Sequence, residues 1–352
     1  MLQRLVHVTL FLFALLGTAS WVQSLDRMPF LGWSRSKCAH FLAHKNDYDT
    51  LIIGSSRLHH GCNPADLDLR TKELGLATRT YNLAFGGMRA HDFDEVANWV
   101  LDQRPANLRR MVIELTDSDP GSTEGNWMAD MPIQTHTLRQ FANRCGTILG
   151  WNQPLADKLA KLHFVTAHTL VNALRIGQGP RLVDDLLRTN QGRTLDLVSP
   201  VAAEGFVPVE QVKWAATFAA HEAYLANPEQ AIATRDKKKV TKLLPQFHRG
   251  FSMSSWRRLD QRCRQLGIEP IYVVMPTMSW GFQGRDAVAE LGDQAFVLDL
   301  DDPANHPTLF EIGLYYDPSH LNQEGSSFFS RYLAEQMVMR LAAKGPAPTK
   351  LK

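Results

Sequence analysis

The residues best suited to chemistry lie toward opposite ends of this chain. Near the C-terminus, "YYDPSHLNQEG" at 315–325 holds Asp317 and His320, three positions apart. An imidazole can take up a proton near neutral pH, and a carboxylate beside it fixes its tautomer, so such a pair suits general-base support of a nucleophile. Pro318 fixes its own φ and biases Asp317 toward extended backbone, which would hold the pair in a rigid turn, and Asn322 can cap a following helix. Near the N-terminus, "LIIGSSRLHHGCNP" at 51–64 sets Ser55 and then Ser56 after an apolar run and a glycine. A hydroxyl there is presented where the chain leaves a sheet, and it becomes a strong nucleophile only when a base removes its proton. Each stretch alone has a plainer reading: a turn leading into a capped helix, and a structural serine after a strand.

The elements that must bring these stretches together are legible as runs of apolar residues. "TLIIG" (50–54), "TYNLAF" (80–85), "MVIELT" (111–116), "PIYVVMPT" (270–277) and "FVLDL" (296–300) predict five buried strands, nearly continuously apolar and bounded by turn residues. Between the second and third, Phe93, Val96, Ala97, Val100 and Leu101 fall on one face of a helix that stops at Pro105. "SSWRRLDQRCRQLG" predicts a helix ending at Gly267, and Phe329, Leu333 and Met337 predict the buried stripe of a closing helix. The alternation implies an α/β fold, a doubly wound and mainly parallel five-stranded sheet with ligand chemistry at the carboxyl ends of its strands. Residues 121–250 break the rhythm. Their clearest segments, "QPLADKLAKLHFVTAHTLVNALRIG" and "EQVKWAATFAAHEAYLANP", predict a helical insertion that either lines a substrate groove or elaborates the packing.

Composition narrows the partners. The 352 residues are 44% hydrophobic and 21% charged, with a net charge of +2, as expected of a globular protein. The one short basic run, "RDKKK" at 235–239, reads as a solvated helix face, so no nucleic-acid partner is expected. Residues 1–24 carry Arg4, an apolar run and then small residues, the layout of a signal peptide or an N-terminal membrane anchor. A core helix is the other reading of this segment, but Arg4, His7 and Thr9 build no polar face. The remaining domain, 25–352, is thus expected outside the cytoplasm, secreted or tethered. Arg27, Arg35 and Lys37 just after the run favour cleavage over a stable anchor. Cys38, Cys62, Cys145 and Cys263 fit either disulfides or buried thiols. Neither His59-His60 nor His163 with His168 has spacing that places two rings on one helical face, so no metal site is expected.

Taken together, these motifs resemble the SGNH or GDSL-type serine hydrolases and acyltransferases over most of the chain after the leader. Gly54-Ser55-Ser56 is similar to the family's Gly-Asp-Ser element with Ser in place of Asp, Gly87 in "NLAFGG" matches the glycine after the second strand, and "DPSHLNQEG" is similar to Asp-x-x-His-x-Asn-x-x-Gly. The Gly-Ser-Ser-Arg variant resembles exported branches that handle acyl groups on cell-envelope polymers. One element departs: where the family carries Gly-x-Asn-Asp, this chain has Thr116-Asp117-Ser118-Asp119.

The resemblance implies a flavodoxin-like SGNH fold and covalent serine catalysis without metal or cofactor, on a small ester or an acylated glycan. Ser56 would be the nucleophile, His320 the base and Asp317 its orienter, with backbone N–H groups of Ser56 and Gly87 as oxyanion donors. Ser118 or Asn126 would replace the missing amide, and Arg57 and Trp127 would meet substrate. A degenerate domain that binds polysaccharide or assists polymer assembly, and an intracellular structural domain, fit the same residues. The triad does not distinguish esterase from transferase.

Overall fold

The computed structural model of the chain describes residues 2–25, 33–116, 135–150, 153–176, 204–212, 215–240, 253–279 and 284–343. In chain order, α1 (Leu2–Leu25) and α2 (Trp33–His44) precede β1 (Thr50–Ile53), which leads through α3 (Ser56–Gly61) and α4 (Pro64–Glu73) to β2 (Thr80–Asn82). α5 (Ala90–Asp102) and β3 (Arg110–Glu114) follow, then, among the described residues, the helices α6 (Leu138–Gly150), α7 (Leu155–Ala173), α8 (Ala215–Ala226) and α9 (Pro228–Val240). α10 (Met253–Gln265), β4 (Glu269–Val274), α11 (Arg285–Leu291) and β5 (Phe296–Asp299) complete the alternation. The chain closes with β6 (Tyr315–Asp317), β7 (His320–Leu321) and α12 (Gln323–Ala343).

Two compact units divide these elements. The larger, made of 40–117, 196–247 and 256–352, is an α/β unit built on a five-stranded, all-parallel sheet in the order β2-β1-β3-β4-β5. This is one of the common doubly wound strand orders, and it reverses direction between β1 and β3, where such sheets open a crevice at their carboxyl ends. Ile53 pairs with Ile113, and Ile113 with Tyr272. All three are fully buried, as continuous apolar strands covered on both faces must be. The five strands fall where the apolar runs predict them. Beyond Asn82 the second run stays tied to β1 by single backbone bonds, Leu83 N–H to the Ile52 carbonyl (2.8 Å) and Phe85 N–H to that of Gly54 (3.0 Å).

Phe329, Leu333 and Met337 of α12 are fully buried in one cluster with Ile52, Val112 and Ile271, the stripe expected of the closing helix. α5 buries its predicted apolar face but also Asp92, Asp94 and Glu95, so it is covered well beyond one side. α8 and α9, from the second half of the expected insertion, belong to this unit. There the reading of "RDKKK" as a solvated face needs correction. Asp236 and Lys239 face outward and Arg235 is partly exposed, but the Lys238 side chain is fully buried and its ammonium lies 2.9 Å from the Asp301 carboxylate. Periodicity did not reveal this, because the partner lies 63 residues away.

The smaller unit comprises 1–39, 118–195 and 248–255. In it α6 packs against α7, with Ile148 and Val165 buried and the rings of His136 and His168 meeting edge to face at 4.8 Å. α1 includes a stretch, Gln3–Trp21, that is long and apolar enough to cross a membrane. Only 6% of it is buried, unlike a core helix. None of the four cysteines is in a disulfide. Burial pushes the Cys62 and Cys263 thiols up to about 12, which disqualifies both as nucleophiles at neutral pH.

Candidate active site

Ser56 opens α3 just past Gly54 and Ser55 at the end of β1, so it stands at the carboxyl edge of the sheet, beside the strand-order reversal. Within 51–62 it alone is half-buried, every neighbour being buried. Two features stop α3 from turning away. Ser55 caps it, the Ser55 hydroxyl accepting the Arg57 N–H at 3.2 Å. At its other end the buried Asn82 amide donates to the Leu58 carbonyl (2.9 Å), which also accepts the Cys62 N–H, and to that of Cys62 (2.8 Å).

The acid and the base come from the turn between β6 and β7. These two short strands pair antiparallel, Asp317 opposite His320, with Pro318-Ser319 as the connection. Asp317 Oδ1 accepts the backbone N–H groups of Ser319 (2.7 Å) and His320 (3.0 Å), so the carboxylate closes the turn it sits in. Its other oxygen lies 2.8 Å from His320 Nδ1, and His320 Nε2 lies 2.8 Å from Ser56 Oγ. A carboxylate can only accept, so Nδ1 carries the ring proton and Nε2 offers its lone pair to the serine hydroxyl. Burial pushes the Asp317 carboxyl upward, but hydrogen bonds from the His320 ring and the two backbone N–H groups outweigh it and hold the carboxyl below its ordinary value. The D-P-S-H stretch is therefore the predicted turn, and with Ser56 it forms a hydrogen-bonded acid–imidazole–hydroxyl line.

That turn is held from three sides. The Pro318 carbonyl accepts from Met278 N–H (2.8 Å), Ser279 N–H (3.1 Å) and the Thr277 hydroxyl (2.9 Å), all just past β4. Thr277 is fixed in turn, its N–H donating to Asp301 (3.0 Å) and its carbonyl accepting from the buried Lys238 ammonium (2.8 Å). On another side His221 of α8 donates through Nδ1 to the Tyr316 carbonyl (2.7 Å) and stacks on that tyrosine ring at 3.9 Å. On the third, Asn322 caps α12 as expected, accepting the Gly325 N–H (2.8 Å), and donates through its amide to the Gly313 carbonyl (2.6 Å).

Of the other residues expected at the site, Gly87 stands exposed in the turn after β2 with φ +81, a left-handed conformation that favours glycine. Ser118, Asn126 and Trp127 lie outside the described residues. Arg57, expected at the substrate, is turned inward: its side chain is 6% exposed and its guanidinium pairs with the fully buried Glu114 at 2.5 Å. Among the described residues no group of three or more His, Cys, Asp or Glu is arranged to hold a metal ion. Asn82, Glu114, Lys238, Asp301 and His221 were missed by sequence reasoning. Glu114 and Asn82 carry a local signal, each being a polar residue inside an otherwise apolar strand run.

Comparison of the chain with models of known protein families finds no match, and none of the curated proteins matches it either.

Proposed function

We propose that this protein is an exported serine esterase or O-acyltransferase of SGNH type, acting on acyl esters, acetyl above all, of a carbohydrate or cell-envelope polymer. The observation that carries the reading is the unbroken line Asp317–His320–Ser56, with both imidazole contacts at 2.8 Å, at the carboxyl edge of a parallel sheet. Ser56 Oγ attacks the acyl carbon while His320 Nε2 takes its proton, and Asp317 stabilises the imidazolium that forms. Negative charge passes to the acyl oxygen, received by the backbone N–H groups of Ser56 and Gly87 with Ser118 or Asn126 as a third donor. His320 returns the proton to the departing alkoxide, leaving an acyl group on Ser56. Water or a sugar hydroxyl, deprotonated by the same imidazole, then takes the acyl group. Export is supported by the apolar, exposed α1, which suits a signal or an anchor.

The test is covalent labelling. A fluorophosphonate probe modifies the purified protein at Ser56, and hydrolysis of a short aryl acetate falls by about 10³ or more in Ser56→Ala and in His320→Ala, the scale of losing a triad member. The changed third element, Thr116 to Asp119, favours a second reading, a polysaccharide-binding or assembly domain with a degenerate site. A folded protein that resists the probe and neither hydrolyses nor transfers acetyl groups of acetylated glycans would replace the first reading with that one.

A further inference from the structure

The Gly-Ser-Ser-Arg stretch is unusual in carrying a hydroxyl and a guanidinium on either side of Ser56, and both go to one carboxylate. Glu114, the last residue of β3, is fully buried. Its Oε2 accepts the Ser55 N–H at 2.6 Å, both its oxygens lie 2.9 Å from the Ser55 hydroxyl, and its Oε1 pairs with the Arg57 guanidinium at 2.5 Å. Gly54 completes the fit, since a Cβ there would stand 2.6 Å from Oε2 of the same carboxylate. Three of the four residues of the motif are thus shaped around Glu114. The fourth, Ser56, is the one whose hydroxyl goes to His320 instead.

Resting on the acyl-transfer reading, we propose that Glu114 is the positioning residue of the nucleophile turn. It holds the residues on both sides of Ser56 and thereby sets the direction of the Ser56 hydroxyl toward His320. A carboxylate remains charged in a protein interior only when it is paired and hydrogen-bonded, and Arg57 and Ser55 supply both requirements here. The arrangement also accounts for the residue at position 55. A hydroxyl can donate to Glu114 while accepting the Arg57 N–H, whereas an aspartate in that place would set a second carboxylate against the first. The acid is supplied by β3, so the turn carries a serine.

Moving the charge back tests this. In Glu114→Gln, labelling of Ser56 by the fluorophosphonate falls about 10²-fold, as for a reacting group displaced by about 1 Å, while KM for an aryl acetate stays within about twofold. Ser55→Asp alone is similarly impaired. The double variant Ser55→Asp/Glu114→Gln, which has one carboxylate again, labels at least about tenfold faster than either single variant. The ring signals of His320 in ¹H–¹⁵N spectra move in Glu114→Gln and return toward the wild-type positions in the double variant.

A folded Glu114→Gln protein with wild-type labelling and unmoved His320 signals overturns the proposal, as does a double variant no better than the singles. If the wild-type protein resists the probe while the His320 signals follow the expected pattern, the positioning role stands and the acyl-transfer reading fails. Should Glu114→Gln not fold, Ser55→Ala carries the test. It removes the hydroxyl contacts and spares the ion pair, so labelling falls about tenfold; unchanged labelling and unmoved signals overturn the idea.

Discussion

Gly325 to alanine sets a methyl group against the backbone of a neighbouring segment. Gly325 lies in the first turn of α12, and a Cβ added to it would overlap the Leu314 carbonyl oxygen and stand 2.9 Å from the carbon of that carbonyl. Both are backbone atoms, so no side chain can swing aside. Clearing the overlap requires a separation of about 1 Å or more between α12 and the residue leading into β6. Overpacking of this kind costs about 1–3 kcal/mol. The same shift strains the bond from Asn322 N–H to the Leu314 carbonyl, now 3.0 Å, which adds about 0.5–1.5 kcal/mol. Alanine's better helix propensity offsets at most about 1 kcal/mol.

The net expectation is a loss of about 0.5–4.5 kcal/mol in urea unfolding, a fall of roughly 2–4 °C in Tm per kcal/mol for a unit of this size. Because Leu314 is three residues before Asp317, the displacement reaches the turn, and Ser56 labelling falls about 10²-fold. Gly313→Ala is the internal control. A Cβ there meets nothing within 4 Å, so stability changes by no more than about 0.5 kcal/mol. If the two variants unfold at the same urea concentration, the steric argument is wrong.

Two other outcomes follow from buried charge. Lys238→Met leaves the Asp301 carboxylate buried without its cation and loses about 3–5 kcal/mol in urea unfolding, while Lys238→Met/Asp301→Asn recovers more than half of the loss; a cost below about 1 kcal/mol for the single variant would contradict the pairing. The Asp317 carboxyl is held below its ordinary value in the fold, so it contributes stability that is present above the unfolded value of about 4 and is lost as pH falls through the lower folded one. The stability of the wild-type protein therefore falls more steeply below about pH 4 than that of Asp317→Asn, and parallel acid-unfolding curves would refute the assigned hydrogen bonds.

What the chain declares locally and what it leaves to packing divide cleanly here. Buried parallel strands need unbroken apolar runs, so β1 to β5 were readable one by one, and so was the stripe of Phe329, Leu333 and Met337 on α12. The turn at Pro318 and the cap at Asn322 were readable too, because both depend on backbone preferences within a few residues. Ser56, Asp317 and His320 could be named as potential partners, since each occupies a strand end or a turn that a parallel sheet gathers to one edge. Their meeting at 2.8 Å was a matter of tertiary structure, because the hydroxyl and the imidazole are 264 residues apart. The same holds for the charged residues that steady them. Lys238 looked like one more cation in a polar run, Arg57 like a hand extended to substrate, and Glu114 like an interruption in a strand. Whether a charged side chain faces water or the interior depends on whether an opposite charge waits there, and Asp301 and Glu114 are brought into place only when the sheet assembles.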